Sequence, residues 1–241
     1  MTEITGKTVL VTGANRGIGL ALVEEALVRG AHRVYASTRG SWTHSDERVT
    51  PLAFDVTDSA AIQAAAGAVE SLDILVNNAG IALYDDLTDR SAIERQLAVN
   101  LFRPYEVIQA FLPQLSKSRG AIVNNLSLNA FAPLPLIPAY SISKAAAFNL
   151  TQSLRSLLAA RSIRVHAVLT GPTDTDMTRG FEVPKATPQA VAHAILGGVE
   201  RDEEDIFPDP LAATLADAWR GGAMKALEGQ FAALAAAVPA A

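Results

Sequence analysis

Short runs that are apolar almost without interruption alternate along this chain with longer segments whose apolar residues recur every three or four positions. The short runs are "KTVLVTG" (7 to 13), "HRVYAST" (32 to 38), "VTPLAFDV" (49 to 56), "LDILVNNAG" (72 to 80), "GAIVNNLS" (120 to 127) and "IRVHAVLTG" (163 to 171). A strand with one wet face alternates apolar and polar residues, whereas a strand covered on both faces has no need to, so each run is expected to be a buried parallel strand. Between them, "IGLALVEEALVRG", "DSAAIQAAAGAVES", "SAIERQLAVNLFRPYEVIQAFLPQL" and "AYSISKAAAFNLTQSLRSLLAARS" carry the period of amphipathic helices. Parallel neighbours need long crossover connections, and these helices supply them. The expected fold class is therefore α/β, a doubly wound parallel sheet in three layers αβα. A chain of 241 residues can complete that as a single domain over 1–241.

From about 172 the pattern loosens. "GPTDTDMTRGFEVPKATP" is rich in turn formers, which predicts a substrate-binding loop over about 172–190, and a helix is expected to resume near "PQAVAHAILGGVE". The alanine and leucine periodicity of about 208–241 predicts a C-terminal helical extension.

Composition narrows the partners. A net charge of −5 gives a phosphate backbone little to bind, so no nucleic-acid partner is expected. The chain has no cysteine, which excludes disulfides and thiolate chemistry, and His32, His44, His166 and His193 show no ligand spacing, so no metal site is expected. No window reaches the roughly 18 apolar residues of a membrane span, and the first residues do not read as a secretory signal. The expectation is a cytoplasmic protein with no membrane contact.

After the first strand, "TGANRGIG" brings Gly13, Gly17 and Gly19 to the start of a helix, with Asn15, Arg16 and Ile18 between and beside them. A strand, a tight turn and a helix N-terminus present unpaired N–H groups and a positive dipole end, which suit the pyrophosphate of a dinucleotide in a Rossmann fold. The competing account is a plain strand-to-helix turn in which glycine only relieves crowding. Charge then selects between cofactors: an acid at the end of the second strand suits NAD(H), whereas a 2′-phosphate needs cations. The strand end here is "ASTRG", with Thr38 in the acid's place, Arg39 after it and Arg16 in the glycine turn, which favours NADP(H).

Tyr140 and Lys144 lie four positions apart and so share one helix face. Taken alone, such a pair is ordinary. Ser127, however, ends the fifth strand run, at the carboxyl edge of the sheet where open α/β sheets bind ligands, and Asn100 interrupts the apolar stripe of a helix.

The TGxxxGxG turn, "NNAG" (77 to 80) and the Tyr-x-x-x-Lys together resemble the short-chain dehydrogenases/reductases, over about 5 to 180. The resemblance implies a catalytic tetrad of Asn100, Ser127, Tyr140 and Lys144. Tyr140 would exchange the proton, with its pKa lowered by the Lys144 ammonium and by the oxidised nicotinamide. Lys144 would also bond the nicotinamide ribose, Ser127 would donate to the carbonyl oxygen, and Asn100 would hold a relay water. Cofactor contacts are implied for the glycine turn and for Thr38 and Arg39, for Asp55 and Val56 at the adenine, and for Asn78, Ala79 and Gly80 near the ribose. Further contacts are implied for Tyr140 and Lys144, and for Gly171, Pro172, Thr173 and Thr175 at the carboxamide. Asn77 would link neighbouring strands. Asp55 and Thr175 also have a competing reading as turn or helix-cap residues. Thr170 stands where the family has proline, which puts the path of the following loop in question.

The loop after Thr175 is where such enzymes close over substrate. Met177 and Phe181, with Leu128, Leu134 and Leu136 across the site, predict an apolar pocket; Arg179 and Lys185 are the cations found near its entrance. These residues favour an NADPH-dependent reductase of a small, mostly apolar ketone or aldehyde, acting in reverse on secondary alcohols. The alternatives are a 3-oxoacyl-thioester reductase and a non-catalytic NADP-sensing binding protein. The long apolar faces of 91 to 115 and 140 to 160 predict a homo-oligomer, a tetramer or a dimer.

Overall fold

The computed structural model describes residues 3–237. Its sheet has seven parallel strands where six are expected from the sequence: β1 (Thr8–Thr12), β2 (Arg33–Thr38), β3 (Val49–Ala53), β4 (Ile74–Asn77), β5 (Ala121–Asn125), β6 (Arg164–Val168) and β7 (Asp205–Ile206). They lie in the order β3-β2-β1-β4-β5-β6-β7. The direction of winding reverses between β1 and β4, and the crevice at the carboxyl ends of those strands is where this topology leaves room for a ligand.

Alternation along the strands builds two cores. Val9 and Val11 of β1, with Ile74 and Val76 of β4, face α1 (Gly17–Val28) and α6 (Pro188–Glu200). Leu10 and Leu75 point the other way, against α2 (Ser59–Ala68), α4 (Arg103–Ser118) and α5 (Pro138–Leu158). Continuous apolar strands are the direct result: both faces of the sheet are covered. The remaining helices are α3 (Arg90–Leu97), α7 (Pro210–Arg220) and α8 (Ala223–Ala237). No helix among the described residues is long and apolar enough to cross a membrane.

Four expectations are corrected. The run at 49 to 56 yields an edge strand, Val49–Ala53, in which only Val49 is buried; its Pro51, which cannot donate to a ladder, suits an edge. The segment 91 to 115 is two α-helices joined by a π-helical turn, Ala98–Phe102, closed by the Arg103 N–H on the Ala98 carbonyl. Pro104 explains the break, because it lacks the N–H that would bond the Asn100 carbonyl in a regular helix. The terminal extension is two helices parted at Gly221 and Gly222, and the residues predicted in it at 238–241 lie outside the described ones. Finally, β7 is a strand of two residues, too short to show periodicity.

Candidate active site

The carboxyl edge of the sheet is held together by polar side chains. Thr12, the last residue of β1, accepts the N–H groups of Asn78 (2.9 Å) and Ala79 (3.0 Å) on one hydroxyl, fastening "NNAG" to the glycine turn. Asn77 donates to Asn124 (2.9 Å), which donates to Thr151 on α5 (3.0 Å), so Asn77 does link neighbouring strands. Gly19 is the tightest position of the turn: a Cβ there would collide with the Gly13 carbonyl oxygen. Asn15 and Arg16 are exposed at the turn, while Ile18 packs on the α1 core. A glycine-lined cradle at a helix N-terminus fits a dinucleotide pyrophosphate.

The four tetrad residues converge from three places in the fold. Asn100 sits in the π turn, Ser127 just beyond β5, and Tyr140 and Lys144 in the first turns of α5; all four are buried. Asn100 holds the loop that follows "NNAG": its Oδ1 accepts the Ile81 N–H (3.0 Å) and its Nδ2 donates to the Ile81 carbonyl (2.9 Å) and to Ser143 Oγ (2.9 Å). Ser143 in turn donates to the Tyr140 carbonyl (2.7 Å), so Asn100 and Tyr140 are joined through a residue that the Tyr-x-x-x-Lys pattern leaves unspecified. Gly80 leaves the space between Asn100 and Lys144 open, since a Cβ there would come within 3.1 Å of Asn100 Oδ1 and 3.9 Å of Lys144 Nζ.

Burial dominates the titration of this site. It pushes the Tyr140 phenol up to about 12, with the hydroxyl of Ser127 pulling the other way. It also drives the Lys144 ammonium down to about 8. Lys144 Nζ lies 5.6 Å from the Tyr140 ring centre and donates to the Asn125 carbonyl (2.8 Å). The expected lowering of the Tyr140 pKa is thus not a property of the protein alone; without the cofactor's charge, desolvation wins.

Two residues that carry no sequence signal organise the mouth. Asp85 receives the Ala139 N–H (3.2 Å), capping the start of α5, where Pro138 has no N–H and Ile137 offers no side-chain cap. Tyr84 stacks on Phe181 (6.0 Å between ring centres, 7° between planes), so the loop after β4 meets the loop after β6 across the site. That second loop is anchored from both sides. Asp209, buried at the cap of α7, accepts the Gly171 N–H (2.6 Å), so that N–H is already engaged. Thr173 bridges to Ala186, which donates to the Pro172 carbonyl (3.0 Å). Thr175 lies against Gly17 and caps a short 3-10 turn, Asp176–Thr178, as the cap reading expects. Of the pocket residues, Phe181 and Leu134 are half-buried, Leu128 packs on the Leu126–Phe148–Leu169 cluster, and Leu136 and Met177 are exposed.

Past the end of β2, where the sequence leads one to expect the adenosine, Thr38 is buried and donates to the Gly40 carbonyl (2.6 Å), while Arg39 is exposed and forms no ion pair among the described residues. Arg16 reaches across to Asp176 (2.7 Å), and Asp176 also meets Arg179. Asp55 accepts the Thr57 N–H (2.9 Å) in a turn, the cap of α2 being Asp58, and Val56 packs on the α2 core.

Comparison with known proteins agrees with this geometry. The chain is 30% identical over 217 residues to an uncharacterized oxidoreductase of Staphylococcus epidermidis, covering 81% of this chain and 92% of that one. It is 31% identical to the ketoacyl reductase HetN of Nostoc, over 86% of this chain and 80% of the other. A short chain dehydrogenase from Burkholderia cenocepacia, solved in complex with NADP, superposes with a TM-score of 0.87 at 33% identity, over 95% of this chain and 98% of that one. A family model described as short chain dehydrogenase matches residues 7–185, most of the sheet and every tetrad position. The chain therefore belongs to the short chain dehydrogenase family of oxidoreductases.

Proposed function

We propose that this protein is an NADPH-dependent reductase of a small, mostly apolar ketone or aldehyde, run in reverse on secondary alcohols. The carrying observation is that Lys144 and Tyr140 are both buried at the carboxyl edge of the sheet with Asn100 and Ser127 beside them. The glycine turn, Ala79 and Gly80 would hold the cofactor, and the exposed Arg39 suits a 2′-phosphate. NADP in the Burkholderia neighbour supports the same choice. When bound, the reduced nicotinamide supplies a hydride.

The chain supplies the rest. The Ser127 hydroxyl donates to the substrate's carbonyl oxygen, where negative charge grows in the transition state. Tyr140, kept neutral by burial, gives its proton to that oxygen. Lys144 stabilises the phenolate left behind, and the Ser143 hydroxyl fixes the Tyr140 main chain to Asn100 so that the proton path keeps its geometry. Tyr84 and Phe181 roof the site with aromatic surface, which suits an apolar substrate.

The ketoacyl reductase among the relatives keeps a 3-oxoacyl thioester as the second candidate substrate. The protein is assigned to the cytoplasm as a homodimer or homotetramer, the exposed Phe102, Tyr105 and Ile142 on α4, its preceding turn and α5 being the supporting surface. The test is NADPH and NADH absorbance during incubation with aliphatic, aryl and β-keto carbonyls and an acetoacetyl thioester, with Tyr140→Phe as the blank. NADPH oxidation is expected with the wild type and a loss of at least a thousandfold in the variant. Near-wild-type turnover by Tyr140→Phe would remove the tyrosine from the mechanism.

A further inference from the structure

Four neighbouring strands end in a single file of side-chain hydrogen bonds. Thr170, two residues past β6, donates from Oγ1 to Asn125 Oδ1 (2.7 Å). Asn125, the last residue of β5, donates from Nδ2 to Asn78 Oδ1 (3.0 Å). Asn78, just past β4, donates from Nδ2 to the carbonyls of Thr12 (3.0 Å) and Gly13 (3.3 Å) at the end of β1. Every donor points from β6 toward β1.

The direction is forced. Main-chain carbonyls only accept, so the Asn78 amide must turn its NH2 toward Thr12 and Gly13. Its oxygen then faces Asn125, which must answer with its own NH2 and is left with an oxygen facing Thr170. Only a hydroxyl or another donor at 170 completes the file. Thr170 is 7% exposed, so water is a poor substitute there. Proline, the residue the resemblance leads one to expect at this position, would leave the Asn125 oxygen without a partner.

Asn125 has a second attachment. Its main-chain carbonyl is the acceptor of Lys144 Nζ at 2.8 Å. One residue thereby joins the file that ends on the glycine turn to the lysine on the far side of the crevice. We propose that Asn78, Asn125 and Thr170 form a positioning ladder, which sets the glycine turn and Lys144 at the spacing that lets one dinucleotide be gripped by both. Thr170 is the group that locks the ladder. This proposal rests on the NADPH reading given above.

Thr170→Val keeps the shape and removes the donor; Asn125→Asp keeps the shape and cannot donate to Asn78. Calorimetric titration of each folded variant with NADPH, alongside its melting temperature, separates positioning from bulk stability. The dissociation constant for NADPH is expected to rise about tenfold in Thr170→Val and Asn125→Asp and to return to within twofold of wild type in Thr170→Ser. The double variant is expected to be no weaker than the worse single one, as befits members of one chain of bonds. In turnover, KM for NADPH should follow the dissociation constant while kcat moves less than threefold. If wild type binds NADPH and either variant binds it within twofold as well, whatever its melting temperature, the ladder is only structural and the proposal fails. Should Thr170→Val not fold, Asn125→Asp decides alone. Wild type that binds neither NADPH nor NADH would instead sink the functional reading and the ladder with it.

Discussion

Two basic side chains on α5 are withdrawn from water, Lys144 buried and Arg155 partly so, and the molecule keeps them in opposite ways. Arg155 ion-pairs with Asp205 (2.9 Å) and with Glu228, and donates to the carbonyls of Val165 (3.0 Å) and Glu204 (2.7 Å). Asp205 also meets Lys225 (2.6 Å) and the Trp219 indole N–H (2.8 Å). Burial by itself raises the Asp205 carboxyl, yet Arg155 and Lys225 outweigh it and hold the group below the usual carboxylate range. Lys144, eleven positions earlier on the same helix (155 − 144 = 11), forms no ion pair among the described residues and bonds one carbonyl. Its charge is tolerated rather than matched. A partly buried charge with all its partners ties β7 and α8 to α5; a buried charge without them is available to a ligand and titrates near neutral pH.

The contrast can be broken most sharply at Lys144. Lys144→Met is expected to lower kcat/KM for carbonyl reduction by about a thousandfold, within the range of a lost acid/base partner. Its melting temperature at pH 7 should stay level or rise. The sign follows from linkage: a lysine whose pKa falls to about 8 on folding opposes folding wherever the unfolded chain still holds the proton, so its removal relieves a penalty. A large drop in melting temperature would make Lys144 a structural partner like Arg155.

Asp205→Ala should do the reverse. Arg155 and Lys225 keep Glu204 and Glu228, but the most deeply buried acid of the cluster is gone and the Trp219 indole N–H loses its acceptor, which is expected to cost about 2 kcal/mol of stability in denaturant unfolding. The kcat of the remaining folded enzyme should change less than twofold, and a selective loss of turnover would collapse the distinction between the two regions.

The pH profile sharpens the contrast further. The Lys144 ammonium is present below its pKa and lost above it, so kcat/KM for reduction should be level to about pH 7 and fall up to tenfold per unit above about 8. With Tyr140 near 12 the phenol stays protonated throughout that window, and no second break is expected. A midpoint near the ordinary lysine value in stopped-flow or steady-state kinetics would show that burial does not set it.

The smallest effect is expected at the cofactor end. Asp176→Asn frees the exposed Arg16 from its ion pair, a contact worth under about 1 kcal/mol, and should raise the NADPH-over-NADH preference in kcat/KM two- to threefold. An unchanged ratio would remove Arg16 from 2′-phosphate recognition.

Much of this was legible because it depends on period and local order. Continuous apolar runs specify strands covered on both faces, and the core confirms it at Val9, Leu10, Ile74 and Leu75. The glycine turn and the Tyr–Lys spacing are short-range patterns. What escaped was tertiary. Nothing near Asp85 says that it will cap a helix 54 residues away, and Tyr84 meets Phe181 only because two loops fold over one crevice. Thr12 sits in the quoted turn motif, and Ser143 lies between Tyr140 and Lys144, yet both read as filler because their partners come from other elements. Pro104 was a local signal left unused: a proline inside a helical run marks a break, and the break holds Asn100.

That proline has a consequence for how the protein can change. An alanine at 104 would restore the main-chain donor that Pro104 lacks in the first turn of α4, a gain of one hydrogen bond, about 1 kcal/mol. The gain would come from recapturing the Asn100 carbonyl and regularising the turn that aims its side chain at Ile81 and Ser143. Selection for thermal robustness alone would drift toward that repair. The bond that Pro104 withholds is what keeps the turn open and one asparagine in place.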